Sequence, residues 1–209
     1  MPTVNIPALR GSRILGFGHH QPERVLTNDE LSTMVDTNDE WIRTRTGIQT
    51  RRIAGPDDTV TSMAIEAGRR ALADAGVSPS AVGLVIVAST THQDRAPYTA
   101  GRVAAALGMT NGPAPIDINT ACSGFEYALG LADQSIRTGS ADVALVIGSE
   151  VLSGIADWTD RSTCVLVGDG AGAAVLGVAE TPEIGPVSWG SVPHLLDAVR
   201  VEGSPGRFN

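Results

Sequence analysis

Strand-length apolar runs alternate with amphipathic helical segments along most of the chain, and this alternation limits the possible folds more than any other feature. The clearest helical segment spans residues 60–75, where apolar side chains form one stripe and Glu66 and Arg69 lie away from it. Residues 82–88 and 143–148 are nearly continuous apolar runs, typical of strands that are covered on both faces. The pattern therefore predicts an α/β protein with a largely covered sheet.

The remaining elements follow from the same periodicities. Strands are predicted at residues 13–18, 82–88, 114–118, 143–148, 163–167 and 173–178. Helices are predicted from Asn28, which is the expected cap, from Thr37 to Gly47, and at residues 60–75, 98–107 and 123–138. The sequence from Thr37 to Glu40 fits a capping box, in which a hydroxyl and a carboxylate bond free amides at a helix start.

Composition disfavours several classes of function. Of the 209 residues, 42% are hydrophobic but only 4% are aromatic, so the predicted core is aliphatic. Lys and Arg number 15 against 23 Asp and Glu, and the resulting net charge of -8 disfavours nucleic acid as a partner. The first residues contain Pro2 and Pro7 and no long apolar stretch, so we expect a cytoplasmic protein without a signal peptide or membrane anchor. Two cysteines are too few for a disulfide framework or a zinc site, which predicts a reducing compartment and no metal.

Cys122 lies where a predicted strand turns sharply into a predicted helix. Free backbone amides and the positive end of the helix dipole favour a thiolate at such a position. The alternative is a small buried hydrophobic residue, a common environment for free cysteine. The small neighbours Ala121, Ser123 and Gly124 favour a reactive thiol, because they admit a ligand close to the sulfur. Cys164 lies within an apolar run and is predicted to pack in the core.

Two further patterns are not interpreted as functional sites. Only a short strand and Pro182 follow the glycine-rich run at 168–172, which leaves no room for the helix of a dinucleotide-binding loop. We expect those glycines to permit a tight turn and close backbone packing. The histidines are expected in solvent-facing loops rather than in catalysis: His19, His20, His92 and His194.

Three segments of the chain resemble the beta-ketoacyl-acyl carrier protein synthase III family. They are DTNDEWIRTRTGI at residues 36–48, NTACSGF at 119–125 and GDGAGAA at 168–174, in the order that the family has. The resemblance implies a thiolase-like fold, in which two similar α/β halves form αβαβα layers. It assigns residues 1–180 to the amino-terminal half and 181–209 to the start of a segment leading to an absent carboxy-terminal half.

The resemblance also implies an activity, an acyl-CoA-primed condensation that starts fatty acid synthesis. Cys122 would take an acyl group from acyl-CoA, and malonyl-acyl carrier protein would then lose carbon dioxide and attack the acyl-enzyme. The backbone amide of Cys122 is implied as one oxyanion donor. A homodimer is implied, and no permanently bound cofactor. The catalytic histidine and asparagine of the family are expected in the absent half.

The family positions that hold the nucleotide end of CoA correspond to Thr37, Trp41, Arg45 and Arg161. Trp41 and Arg45 are four residues apart and would share a helix face, where an indole and a guanidinium can together sandwich an adenine ring. The alternatives are intramolecular packing of that pair and a surface ion pair for Arg161.

Two other functions stay open at this point. One is a related acyltransferase or ketosynthase of secondary metabolism that uses the same cysteine with another acceptor. The other is a non-catalytic half that binds CoA thioesters, in which Cys122 would not be acylated.

Overall fold

Five strands form the central sheet of the chain in a computed structural model that describes residues 10–93, 96–195 and 197–199. They are β1 (Gly11–His20), β4 (Leu84–Ala88), β5 (Ala114–Ile118), β6 (Val143–Val151) and β7 (Asp169–Ala179). The spatial order is β1-β7-β6-β4-β5. Two short strands, β2 (Arg24–Thr27) and β3 (Thr50–Ile53), pair with each other in a separate antiparallel ribbon.

Six α-helices accompany the strands in the described part of the chain. They are α1 (Asn28–Ser32), α2 (Asp39–Thr46), α3 (Val60–Ala75), α4 (Thr99–Ala106), α5 (Gly124–Arg137) and α6 (Arg161–Cys164). Short 3-10 turns occur at Pro79–Ala81, Ala121–Ser123, Leu152–Gly154 and Pro193–Leu195. Among the described residues, no helix is both long and apolar enough to cross a bilayer.

The core lies in two layers, one on each face of the sheet. Val85 and Val87 of β4 pack with α3 and α4 on one face, whereas Leu84 and Ile86 pack with α5 on the other. Side chains alternate in direction along a strand, so a continuous apolar run is what a strand covered on both faces needs. The described chain is therefore a three-layer α/β/α arrangement, and the predicted α/β class is confirmed.

The central strands are parallel, and this decides where their loops emerge. β4 pairs in parallel with β5 on one side and with β6 on the other. Ala88 at the end of β4 lies opposite Ile118 of β5 and Gly148 of β6. The segments that follow these three strands consequently leave from the same edge of the sheet.

Most of the predicted elements are confirmed. The strands expected at 13–18, 82–88, 114–118, 143–148 and 173–178 correspond to β1, β4, β5, β6 and β7. The helices expected at 60–75, 98–107 and 123–138 correspond to α3, α4 and α5. Gly76 ends α3 in a left-handed conformation, with a φ of 63°.

The strand predicted at residues 163–167 is wrong. The structure has α6 there, and Asp160 begins it by accepting a hydrogen bond from the Ser162 amide. The apolar run is short, and a helical turn buries Cys164 and Val165 while leaving Leu166 56% exposed. Periodicity alone cannot separate a helix from a strand in so short a run.

Two predicted caps are displaced by one residue. Asn38, not Thr37, caps α2, because its side chain accepts the Trp41 amide at 2.8 Å. Likewise Thr27, not Asn28, caps α1, which frees the Asn28 side chain to turn inward. The predicted Thr37–Glu40 capping box is therefore wrong.

The glycine-rich run is also corrected, because β7 begins at Asp169 and the expected tight turn is absent. Close packing is nevertheless present. A Cβ added at Gly168 would lie 3.0 Å from the Arg51 Cβ, and one at Gly170 would lie 3.3 Å from the His20 carbonyl oxygen. The two glycines thus let β7 pass close to the ends of β3 and β1.

The β2–β3 ribbon is an element that the sequence pattern did not predict. Its strands have four residues each, and they contain Arg24, Arg51 and Arg52, which breaks any apolar alternation. Of the predicted connecting segment at 181–209, residues 196 and 200–209 lie outside the described residues.

We expect Gly18→Ala to destabilise the chain, because β1 and α3 touch at this glycine. An added Cβ would overlap the backbone of Ala67 and Ala71. The expected loss in the free energy of unfolding is about 1–3 kcal/mol or more, measured by urea denaturation. Gly172→Ala is the matched control on the neighbouring strand, since no atom lies within 4 Å of its added Cβ. Equal losses for the two variants would contradict the packing argument.

Candidate active site

Cys122 lies in the 3-10 turn Ala121–Ser123 that joins β5 to α5, and its side chain is exposed. Three hydrogen bonds shape the turn: the Asn119 side chain accepts the Ala121 amide, and the Thr120 carbonyl accepts the Ser123 amide and hydroxyl. The first residue of α5, Gly124, then packs closely on β4, since its added Cβ would lie 3.0 Å from the Ala88 Cβ. The thiol predicted to react is therefore held at the edge of the sheet and open to a ligand.

The residue before the cysteine has a strained backbone. Ala121 has a φ of 51°, the only positive φ among the described non-glycine residues. An alanine in the left-handed region costs about 1–2 kcal/mol. Such strain persists only where the surrounding structure imposes it, and it is concentrated at functional sites.

The amino terminus of α5 has no side-chain cap from Ser123, its N-cap residue. The unbonded amides of a first helical turn carry partial positive charge that favours an anion nearby. Cys122 directly precedes this turn. The arrangement can therefore stabilise negative charge that develops next to the sulfur.

The loop that follows β4 borders the same edge and is held firmly by Glu150 at the end of β6. The Glu150 carboxylate accepts the Thr90 amide at 2.7 Å and the Thr91 hydroxyl at 2.5 Å. The Thr91 hydroxyl in turn accepts the Val151 amide at 2.9 Å. These bonds tie the loop to β6, which fixes one wall beside the cysteine turn.

His92 in this loop is not solvent-facing, contrary to the prediction. Its Nδ1 lies 2.9 Å from the Thr99 hydroxyl and 3.6 Å from the Asp117 carboxylate, and its side chain is 19% exposed. Asp117, which lies on β5, also accepts the Thr99 and Ala100 amides and thereby caps α4. These contacts hold His92 against the start of α4. His19 and His194 are exposed as predicted, but His19 and His20 lie in β1 rather than in a loop, and His20 is partly buried near Asp58.

The residues predicted to hold CoA lie together at a second place on this edge. The Arg45 guanidinium carbon is 4.4 Å from the centre of the Trp41 ring, and that of Arg161 is 5.0 Å from it. Arg45 and Trp41 are both on α2, whereas Arg161 reaches them from α6. Arg161 also donates to the Asp36 carbonyl at 3.0 Å.

Thr37 lies next to this group and is left without a partner. Its hydroxyl oxygen is buried and has no hydrogen-bond partner among the described residues. Asp36, the preceding residue, is the one that Arg161 contacts. Intramolecular packing of Trp41 with its two arginines is thus present, and Thr37 retains an unused hydrogen-bonding group beside it.

A buried polar group lies beneath these residues. Arg51 is 7% exposed, and burial lowers the pKa of its guanidinium. Cys164 nearby is fully buried, and burial, reinforced by the negative charge of Asp160, raises the pKa of its thiol. Cys164 packs in the core, as predicted, and its raised pKa keeps the thiol protonated at neutral pH.

The cysteine and the Trp41 group are carried by different elements, which the sheet brings to one edge. The turn at Cys122 follows β5, and the segment that leads to Arg161 follows β6. One strand, β4, separates β5 from β6, which places their axes about 10 Å apart. A ligand that bridges the two places would lie across the ends of the parallel strands.

Three residues that position the site were missed by sequence reasoning: Asn28, Arg51 and Asp169. Asp169 accepts the Ala54 amide at 2.6 Å and the Ser153 hydroxyl at 2.5 Å. Only the fold shows that these polar or charged side chains are buried, so their roles could not be predicted from the sequence.

Comparison with known proteins is consistent with this geometry. Residues 116–193, which include Cys122 and Arg161, match the family model of 3-oxoacyl-(acyl-carrier-protein, ACP) synthase III. The chain is 58% identical over 202 residues to beta-ketoacyl-(acyl-carrier-protein) synthase III 4 of Streptomyces coelicolor. That alignment covers 95% of this chain and 64% of the relative, so the chain spans less than two thirds of the relative's length.

Solved structures agree with the sequence comparison. The 3-oxoacyl-(acyl-carrier-protein) synthase III of Aquifex aeolicus is 52% identical with a TM-score of 0.79, covering 81% of this chain and 55% of its own. The priming beta-ketosynthase of a polyketide biosynthetic pathway is 42% identical with a TM-score of 0.85, covering 88% of this chain and 55% of its own. These likenesses confirm the predicted thiolase-like fold.

The two cysteines are expected to differ in reactivity. Iodoacetamide should alkylate Cys122 in the native chain and leave Cys164 unmodified, because Cys122 is exposed and burial raises the pKa of Cys164. Intact-mass analysis should show a single alkylation of the native chain, and a second alkylation, at Cys164, only after denaturation. Cys122→Ala is the control and should remove all native labelling. Labelling of native Cys164 would contradict the structure.

Proposed function

The chain belongs to the beta-ketoacyl-acyl carrier protein (3-oxoacyl-acyl carrier protein) synthase III family, and from that premise we propose that it forms the amino-terminal part of an acyl-CoA-primed ketosynthase. Cys122 is the nucleophile in this proposal. The observation that carries it is the exposed thiol in a strained turn, directly before the uncapped first turn of α5. We assign residues 1–180 to the amino-terminal half and 181–209 to the start of a connecting segment.

The first chemical step is an acyl transfer to sulfur. The Cys122 thiolate attacks the carbonyl carbon of the acyl-CoA thioester, and the tetrahedral oxyanion is stabilised by the Cys122 amide. The bond from carbon to the CoA sulfur then breaks, and the departing CoA thiolate takes up a proton from solvent, which balances the proton released to solvent when the Cys122 thiolate formed. The new thioester keeps the acyl group activated while its first carrier departs.

We propose that the second step uses groups outside these 209 residues. Malonyl-acyl carrier protein would lose carbon dioxide, and the resulting carbanion would attack the acyl-enzyme. The contacts of His92 support a structural role, since Thr99 and Asp117 hold its ring against α4. We propose that the catalytic histidine and asparagine lie in the part of the relatives' length that this chain does not span.

The nucleotide end of acyl-CoA is assigned to Thr37, Trp41, Arg45 and Arg161. Both guanidinium groups lie over the Trp41 ring, at distances suited to stacking a flat cation or base. An adenine would take the place over the ring that one guanidinium occupies in this structure, and that arginine would then cover the base. The unpartnered Thr37 hydroxyl supports this assignment, because it offers a hydrogen bond that nothing else in the described chain uses.

A homodimer is part of the proposal. β5 is an edge strand of the sheet, and its Ile116 side chain is 41% exposed. An unpaired edge with an apolar side chain favours pairing with another strand. A second copy of β5, related by a two-fold axis, would pair with the open side of this strand, next to Cys122. We further propose that the enzyme works in the cytoplasm without a permanently bound cofactor.

A second candidate function is the priming step of a secondary-metabolite pathway. The likeness to the polyketide priming beta-ketosynthase, at a TM-score of 0.85, favours it specifically. Both functions load Cys122 from acyl-CoA and differ in the acceptor that follows. Turnover of the acyl-enzyme with malonyl-acyl carrier protein, compared with other acceptors, separates the two.

Incubation with acyl-CoA should add one acyl group to the chain, at Cys122. Intact-mass analysis followed by peptide mapping measures this addition. Cys164→Ala should be acylated like the parent chain, and Cys122→Ala should not be acylated. An acyl increment that survives in Cys122→Ala would disprove the assigned nucleophile. No acylation of the parent chain would favour the non-catalytic alternative.

Substitutions on α2 should separate nucleotide binding from general helix effects. Trp41→Ala should weaken CoA binding by about 5- to 150-fold, because stacking on an aromatic ring contributes about 1–3 kcal/mol per base. Arg45→Ala should weaken it by about 2- to 30-fold, from a cation–π contribution of about 0.5–2 kcal/mol.

The matched control is Arg43→Ala, which removes the same charge from the same helix. Arg43 is exposed and pairs with Asp39, so its loss should leave the Kd for CoA unchanged. Titration calorimetry with CoA measures all three variants. Equal effects of Arg43→Ala and Arg45→Ala would count against the assigned site.

A further inference from the structure

Arg51 links α6, which carries part of the proposed nucleotide site, to α1. Its guanidinium Nη1 donates to the Asn28 side-chain oxygen at 2.8 Å, and its Nη2 donates to the Val165 carbonyl at 3.0 Å. Val165 is the C-cap residue that directly follows α6, and it is 2% exposed. One guanidinium thus bridges α1 and the end of α6 inside the protein.

Asn28 extends this bridge to α2. Its side-chain nitrogen donates to the Asp39 carboxylate at 2.8 Å and to the Ile48 carbonyl at 2.9 Å. Asp39 begins α2, and Ile48 follows the glycine that ends it. Asn28 itself is 1% exposed, so both ends of α2 are attached to one buried amide.

We propose that Arg51 and Asn28 are positioning residues that set the distance between α2 and α6, and through it the stacking space between Trp41 and Arg161. The inference rests on the proposed function, since it concerns the nucleotide site assigned there. Arg45 reaches Trp41 within one helix, but Arg161 lies on an element more than a hundred residues away in sequence. Its 5.0 Å distance to the ring therefore depends on how the two helices are held.

The two helices also share an apolar cluster, which includes Ile42 of α2 and Cys164 of α6. The polar link between Arg161 and the segment before α2 is weak by comparison with the buried pair. Arg161 contacts the Asp36 carbonyl and lies 3.9 Å from the Asp36 carboxylate, and both side chains are exposed. Exposed pairs of this kind contribute little and shift easily. The Arg51–Asn28 pair is buried, where hydrogen bonds are stronger and a broken one is costly.

The chemistry of the pair requires a guanidinium. Among the described residues, Arg51 donates to an amide oxygen and to backbone carbonyls, none of them a carboxylate. Asp39 supplies negative charge one hydrogen bond further away, through Asn28. The planar guanidinium of arginine can donate to acceptors on two sides at once, whereas the single ammonium group of lysine cannot donate with the same geometry.

The test compares CoA binding by the chain and by Arg51→Lys. The Kd for CoA should rise by about fivefold or more, and the Kd for the nucleotide part alone, adenosine 3′,5′-bisphosphate, should rise by the same factor. The rate at which iodoacetamide alkylates Cys122 should stay within about twofold, because the cysteine turn is held by other contacts. A purely structural role would move both measurements together.

Two further variants sharpen the test. Asn28→Asp keeps the acceptor for Arg51 but removes the donor to Asp39 and Ile48, so it should also weaken CoA binding. Arg52→Lys is the matched control: Arg52 donates to the Pro22 and Glu23 carbonyls, and neither acceptor lies on α2 or α6. Its Kd for CoA should equal that of the parent chain.

The outcomes distinguish the inference from the function on which it rests. If Trp41→Ala weakens CoA binding while Arg51→Lys and Asn28→Asp do not, the positioning role is overturned and the nucleotide site stands. Weaker CoA binding by Arg51→Lys with unchanged binding of the bisphosphate also overturns it. If Trp41→Ala binds CoA like the parent chain, the proposed site is wrong and the inference fails with it.

Discussion

The parallel pairing of β4 with β5 and β6 is the constraint on which the candidate site depends. It aligns Ala88, Ile118 and Gly148 across three strands, so the segments that follow begin at one edge. These three segments are the loop held by Glu150, the cysteine turn and the segment leading to α6. Apolar cover on both faces stabilises such a sheet, and the polar chemistry is left to the edge.

A second set of contacts attaches the smaller β2–β3 ribbon and its helices to that sheet. Asp169, at the start of β7, bonds Ala54 beyond the end of β3 and Ser153 beyond the end of β6. Arg51 adds the bond to Val165, and Gly168 leaves the space for its side chain. The place where the ribbon meets the sheet is thus polar and buried, and it lies beneath Trp41 and Arg161.

The extent to which sequence predicted this structure differs between its parts. The helix α3 and the strand β4 each follow one periodicity over their whole length, so local pattern and final fold agree. Local pattern fails at α6, where a capping aspartate and a short apolar run compete, and at the β2–β3 ribbon, whose strands are four residues long and basic. Pairing of β2 with β3 decides the ribbon, whereas the local cap by Asp160 decides α6.

The candidate site shows the same division. Cys122 could be singled out because a strand, a turn and a helix are consecutive in sequence. Arg51 could not, because its partners Asn28 and Val165 lie 23 and 114 residues away. The strained φ of Ala121 could not be predicted either, since only the finished fold imposes it. If residue 121 were glycine, the backbone strain would be relieved and the cysteine turn would sample more conformations. Alanine at position 121 therefore lowers the folding stability but restricts the conformations of the turn around the thiol.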